Sequence, residues 1–288
     1  MLRPAHVAGR WQGRVALLLT LFAGGVRAAD VAPLRICLLA HNAPYSIRAE
    51  DRGFDLDVAR AVAARLARPL EIAWTDNNPH IDEIDDSDFP LHRLAKGACD
   101  AIFSIPGPAA DTLRETPSLT VGANYYAAAF ELLSCEAEPP RQLRALRGRK
   151  VAIQSQTVAH FATLMVKGKP NNYFSIDEAL TALRAKETDA ALLWGPTTGW
   201  RLVNDASPEA RACGFVADYQ PPAAVRWNLA VATRKQDAAL RDAIDRALAA
   251  LREAGEFKTI AARYGVPDHP PYDETYSMRA LNELQQGR

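Results

Sequence analysis

Two tryptophans stand where this sequence could hold a ligand. Trp194 closes the run "DAALLW" and is followed by the breaker Gly195-Pro196, while Trp227 opens "WNLAVATRK". A short apolar run ending at Gly-Pro reads as a parallel strand reaching its sheet edge, which is where open α/β folds bind ligands. Two indoles at such edges suit a flat or apolar molecule, a quaternary ammonium group, or an inserted protein loop. The other reading is that Trp194 itself fills the pocket and closes it. A second kind of site is offered by "QSQT" (154–157), where Ser155 or Thr157 can cap the helix that follows; the exposed amides of that first turn form an anion site. Covalent and metal chemistry have weaker footing. No GxSxG, SxxK or Cys-His signature is visible. The acidic run Asp82, Glu83, Asp85, Asp86 and Asp88 lacks the glycine and ligand spacing of a calcium loop and reads as a solvated loop. His41, His80, His92, His160 and His269 show no metal-ligand spacing and read as isolated polar residues.

The elements that must position these groups alternate along the chain. Strand-like "PLRICLLA" (33–40) leads through a Pro/Gly loop to the helical pattern of 54–67, then to strand 70–74, helix 89–97 and strand 99–107. A second series runs through strand 127–135, a turn and short helix at 139–148, strand 150–154, helices near 157–166 and 176–185, and strand 189–194. Strand 227–235 and two helices over 237–255 and 257–265, each stopped by a glycine, complete it. Strand-helix units of this length build parallel sheets with right-handed crossovers. The chain is expected to pass between two α/β lobes near 127–135 and to return near 225–233, with the cleft between them as the default ligand site.

The 288 residues are 48% hydrophobic, enough for one large core or two ordinary ones. The start has a basic leader (Arg3, Arg10, Arg14) and a short apolar run, Val15 to Val26, ending in small residues. It reads as a cleaved secretory signal, residues 1–28, an uncleaved anchor being the alternative. Removing its four arginines leaves 30 basic residues against 34 acidic, a net charge of −4, which argues against a nucleic-acid binder.

Several stretches in order, "APYSIRAEDRGFDLDVARAVAARL", "LAKGACDAIFS", "LRGRKVAIQSQT", "ALRAKETDAALL" and "NLAVATRKQDAALRDAIDRALAALREAGEFKTIAARYG", resemble the periplasmic solute-binding proteins of family 3, the polar amino-acid type, over most of residues 34–266. The resemblance implies an α/β, type II two-lobed fold, each lobe a mostly parallel sheet flanked by helices, with two hinge crossings. Lobe 1 is expected over 29–127 plus 227–288, and lobe 2 over 128–226. It also implies ligand contacts from Tyr45 in the loop after the first strand, and from Ser104 and Arg114 in "SIPGPAADTLR", where a guanidinium fork would suit a carboxylate. A surface ion pair is the alternative for Arg114. In the amino-acid receptors the strand matching "DAALLW" ends in an aspartate that pairs with the ligand's ammonium group; here Trp194 occupies that place. "DAALLWGPTTGW", "LRICLLAHNAPYS" and "GACDAIFSIPG" look like a narrower group, the MxaJ/XoxJ-type proteins associated with quinoprotein alcohol dehydrogenases.

Four cysteines in an exported chain favour disulfides. In the doubly wound order the first and third strands are neighbours, which brings Cys37 near Cys99; pairing Cys135 with Cys213 rests mainly on elimination, and four reduced thiols is the alternative. The expected function is a non-catalytic periplasmic binding protein, without cofactor or metal. It is either accessory to a quinoprotein (PQQ) dehydrogenase or a receptor for a small organic solute. Alternatives are a conventional amino-acid or organic-solute receptor docking to an ABC permease and, further off, a dehydratase similar to cyclohexadienyl dehydratase, which would need an acid or base facing the cleft. A monomer that does not insert into the membrane after signal cleavage is expected.

Overall fold

Local sequence sets up each βα unit. "LRICLL" forms β1 (Leu34–Leu39), a hairpin of β2 (His41–Asn42) and β3 (Ser46–Ile47) replaces the expected loop, and α1 (Phe54–Arg65) follows. Gly53 enters α1 at φ 152°, pressed against the backbone of Tyr45 and Ser46, so no side chain fits there. The apolar face Leu56, Val58, Ala59, Val62 and Ala63 is buried, as its helical spacing requires. β4 (Leu70–Thr75) pairs in parallel with β1; α2 (Pro90–Ala95), β5 (Ile102–Pro106), β6 (Leu119–Val121) and β7 (Tyr126–Ser134) come next. The computed structural model describes residues 31–77, 89–107, 112–208 and 212–287. The expected signal at 1–28, His80 and the acidic run 82–88 lie outside them.

The second series comprises β8 (Lys150–Gln154), α3 (Val158–Met165), β9 (Lys169–Tyr173), α4 (Ile176–Arg184), β10 (Ala190–Trp194) and α5 (Gly195–Asn204). Ser175 caps α4 by accepting from the Glu178 amide, while the Glu178 carboxylate accepts from the Phe174 amide, a reciprocal pair of the kind that fixes helix starts. Gly195-Pro196 ends β10 as expected but also opens α5, because proline is tolerated in a first helical turn. β11 (Gly214–Phe215), β12 (Arg226–Arg234), α6 (Ala238–Glu253), α7 (Glu256–Arg263) and α8 (Met278–Gln286) complete the described elements.

β7 and β12 tie the two halves together. The larger sheet runs β5-β12-β7-β10-β8-β9. It is mixed: β12 is antiparallel to β5 and β7, β7 is antiparallel to β10, and only β10, β8 and β9 run parallel. Tyr126–Ala129 pair with β12, whereas Phe130–Leu133 pair with β10, so β7 leaves one half and enters the other within a single strand. All nine of its residues are buried, which explains the unbroken apolar run with only Glu131 and Ser134 as polar members.

The apolar side chains cluster accordingly. One core joins Leu34, Ile36, Phe54, Tyr126, Ile244 and Phe257; another joins Phe130, Leu132, Val151, Ile153 and Leu192. On the opposite sheet faces lie two smaller clusters, and each contains a disulfide. Cys37 is bonded to Cys99, with 5.6 Å between Cα atoms, and Cys135 to Cys213. Behind the first, Asp100 accepts two-pronged hydrogen bonds from Arg35 and a third contact from Arg234, clamping β1, the start of β5 and β12.

At the C-terminus, Leu281 of α8 is buried in the cluster of Phe130, Leu132 and Val151, and α8 packs on α3. Its helical amphipathicity carries it there, because its apolar side needs a partner and α3 offers one.

Candidate functional site

Trp194 and Trp227 meet where the two large cores adjoin; each packs against both. Their rings lie 5.7 Å apart at 69°, and Phe130 contacts both, at 5.5 Å from Trp194 and 6.0 Å from Trp227. These are edge-to-face and tilted contacts of the kind aromatic quadrupoles favour. Tyr45 arrives from the hairpin loop between β2 and β3, and its hydroxyl accepts a 2.9 Å hydrogen bond from Trp194 Nε1. Burial pushes the Tyr45 phenol well above its ordinary pKa, so it stays protonated. Together with Ser104 and Leu229 these rings line a cavity of about 280 Å³.

Beyond Phe130 and Trp194 lies a second, more polar cavity of about 450 Å³, lined by Asn42, Gln154, Thr157, Thr197, Asp177 and Arg201. Asp177 and Arg201 are ion-paired at 3.1 Å. The two cavities share an aromatic wall, so an apolar ring could rest on the indoles while its polar groups reach amides and hydroxyls on the other side.

The structure separates the residues singled out by sequence. Tyr45, Ser104, Trp194 and Trp227 come together at the aromatic cavity, and Thr157 lines the polar one. Thr157 occupies the N-cap position of α3 as expected, but its hydroxyl donates to the Gln154 carbonyl and makes no capping bond. Ser155 lines neither cavity, and its amide donates to the Tyr173 carbonyl. Gly195 is buried against Glu131, the Ala129 carbonyl and Pro267, where a side chain would collide; its role is to let α5 sit on β7. Arg114 is exposed and lines a different cavity of about 730 Å³, in the first half of the molecule beside Asp55, Cys37 and Phe103. It lines neither the aromatic nor the polar cavity. His269 is no isolated residue either: its Nε2 lies 2.7 Å from Glu131 Oε1, and its backbone bridges to Ala127.

Ser104 is held in an unusual way. Its φ of 56° places a non-glycine residue in the left-handed region, a strained geometry that needs surrounding support. That support is a polar cluster: Ser104 Oγ donates to Asp55 Oδ1 at 2.6 Å, and lies 2.9 Å from the Tyr126 hydroxyl, while the Ser104 amide donates to Tyr125 Oη at 3.1 Å. Burial pushes the Asp55 carboxyl up to about 7, against the opposing effect of the Ser104 bond.

Sequence reasoning missed three participants. Phe130 is the one aromatic in "AAAFELLS" and could have been noticed as a large ring at a strand crossing. Arg201 follows Trp194 by seven residues on α5, a spacing legible only once that helix is known. Tyr276 stacks on Trp227 at 5.0 Å and 22°. It belongs to a tail that returns across the crossings, where Asn228 bonds both the amide and the carbonyl of Tyr272, and Arg226 lies 4.0 Å over the Tyr272 ring. Nothing in the local pattern of "PPYDETYS" announces this.

No family model matches the chain, and no curated protein does. Solved structures do match in fold. The L-cystine solute receptor of Neisseria gonorrhoeae in its unliganded open conformation superposes with a TM-score of 0.70 at 16% identity, over 84% of this chain and 97% of that one. MxaJ from Methlophaga aminisulfidivorans MPT gives 0.60 at 17% identity, over 82% and 99%. An ancestral cationic amino-acid solute-binding protein gives 0.61 at 20% identity, over 81% and 96%. The fold is therefore the α/β, two-lobed architecture of periplasmic binding proteins, with mixed sheets flanked by helices. Among the described residues no helix is long and apolar enough to cross a membrane, and no group of His, Cys, Asp and Glu could hold a metal ion.

Proposed function

We propose that this protein is a non-catalytic binding protein, exported to the periplasm, that holds a small organic solute between two lobes against an aromatic wall. The lobes would divide at the β7 and β12 crossings, near residues 127–128 and 226–227, with α8 joining the second. The observation that carries the reading is the convergence of Tyr45, Phe130, Trp194 and Trp227 from both sides of the crossings onto adjoining cavities of about 280 and 450 Å³. Indole faces favour flat, apolar or quaternary-ammonium groups. A free α-amino acid fits less well, because the position that bears a carboxylate in the amino-acid receptors is an indole whose only donor is already given to Tyr45.

Native mass spectrometry of protein recovered from periplasm is the direct test. A small-molecule excess mass is expected, and Trp194→Ala should weaken rebinding of that solute at least about tenfold, the effect of losing roughly 1.4 kcal/mol of contact. Unchanged affinity in the variant would place the solute elsewhere. A conventional receptor of this kind would deliver its solute to an ABC permease, with closure about the two crossings.

A second reading is favoured by one feature, the Trp194–Tyr45 hydrogen bond, which links the two sides without any solute. On that reading the cleft is latched by its own side chains and the protein serves as an accessory to a quinoprotein dehydrogenase. The same spectrum discriminates: an adduct of the mass of a large oxidoreductase, with no solute, supports the accessory role.

A further inference from the structure

Helix α3 is an oddity for a surface helix. Its sequence "VAHFATLM" is almost wholly apolar, and although Ala159, Ala162 and Thr163 face inward, Phe161 and Leu164 stand out of the molecule at 54% and 47% exposure. An apolar stripe on an exposed helix face is uncommon enough to signal an interaction.

The C-terminal end of the same stripe runs into positive charge. Lys167, whose amide donates to the Leu164 carbonyl, sits in the turn after α3, and Lys169 begins β9. Gly148 donates to the Lys167 carbonyl and Lys169 to the Arg149 carbonyl, so the segment "RQLRALRGRK" lies directly alongside. It contributes Arg144, Arg147 and Lys150, the last in register with Lys169. All five of these cations are exposed, and none forms an ion pair with a described carboxylate. Of the acids at this end, Glu136 is engaged by Arg149 and Asp189 accepts the Lys150 amide; Glu138 and Glu187 are exposed nearby in sequence. This concentration of unpaired cations occurs in a chain whose acids and bases balance overall. It lies at the strand ends opposite Gln154 and Trp194, away from the aromatic cleft.

We propose that this pole of the second lobe, the Phe161–Leu164 stripe of α3 with the cations Arg144, Arg147, Lys150, Lys167 and Lys169, is a docking surface for an anionic phospholipid membrane. Apolar side chains flanked by unpaired Lys and Arg are the two-part signature of interfacial binding, in which the rings enter the headgroup boundary and the cations neutralise the lipid charge. The surface would hold the protein at the bilayer by a face that leaves the cleft open to its solute. It is independent of what the cleft binds.

Flotation of the purified protein with vesicles tests it. Binding should be at least about tenfold stronger to phosphatidylcholine vesicles containing phosphatidylglycerol than to phosphatidylcholine alone, and high salt should abolish the difference. The charge-reversal variant Arg144→Glu/Arg147→Glu/Lys167→Glu should lose at least about tenfold of that binding. Phe161→Ser/Leu164→Ser should lose several-fold while retaining salt sensitivity, with both variants checked for an unchanged melting temperature. The same N-terminus in every sample makes the comparison specific to this pole. Equal binding to neutral and anionic vesicles overturns the proposal. So does charge reversal without effect, or attachment to soluble poly-glutamate with none to anionic vesicles; the last outcome would identify an acidic protein as the partner.

Discussion

Asp55→Asn is expected to make the protein more stable above pH 7 and to flatten its pH dependence between about pH 4 and pH 7. Asp55 lies in the first turn of α1, 5% exposed, with Ser104 Oγ as its hydrogen-bond donor and no ion pair to a described cation. Burial raises its pKa from 3.8 to about 7. A carboxyl raised on folding keeps a proton that the unfolded chain has released. Its contribution is therefore fully present below about pH 4, declines from there, and is gone once pH passes about 7. The interval corresponds to at most about 4 kcal/mol, a ceiling because the α1 N-terminus favours the ionised form. Asparagine keeps the shape and an amide for the Ser104 hydroxyl, yet has no charge to desolvate. Thermal melts from pH 5 to pH 8.5 should show the native protein losing about 10 °C that the variant keeps. Parallel curves for the two proteins would mean that Asp55 is solvated or compensated. Because Asp55 supports Ser104 at the cleft, solute affinity should carry the same pH signature if that hydroxyl touches the ligand.

The second large effect is expected at Asp100. Its carboxylate takes Arg35 Nη2 at 2.7 Å, Arg35 Nε at 3.3 Å and Arg234 Nη2 at 3.1 Å, while Arg234 also donates to the Cys99 carbonyl. Burial works against ionisation here, but the bonds from Arg35 and Arg234 outweigh it and hold the carboxyl below its usual range. Asp100→Ala would take one of two carboxylate partners from Arg234, whose side chain is only 16% exposed, and leave it with Asp237, while Arg35 loses both of its side-chain bonds to Asp100. Removing one member of a buried pair costs about 3–5 kcal/mol, equivalent to a fall of about 10 °C or more in Tm for a chain of this size. A loss below about 1 kcal/mol would show that Asp237, which also binds Arg234, absorbs the charge alone.

The units of this fold were legible because they depend on neighbours in sequence. Apolar spacing at Leu56, Val58, Val62 and Ala63 describes a buried helix face wherever it occurs, and "AALLW" before Gly-Pro describes a buried strand. β9 was missed for the same reason, since "KPNNY" carries polar residues and a proline in an edge strand, where exposure rather than apolar pattern is permitted. Cys37 and Cys99 could be matched from strand order alone; for Cys135 and Cys213 it is the pairing of β11 with the end of β7 that brings the two together.

What sequence alone determined is the α/β alternation and a buried strand that ends in an indole at Trp194, both of which are readable from residue types at fixed spacing. Only the tertiary structure decided what surrounds that indole. Tyr45 is 149 residues away along the chain, Phe130 enters from the strand that passes from one half of the molecule to the other, and Tyr276 comes back from the tail to stack behind Trp227. Such contacts follow from how whole elements pack. Local periodicity can state which face of an element is buried; it holds no information about which distant ring is buried against it.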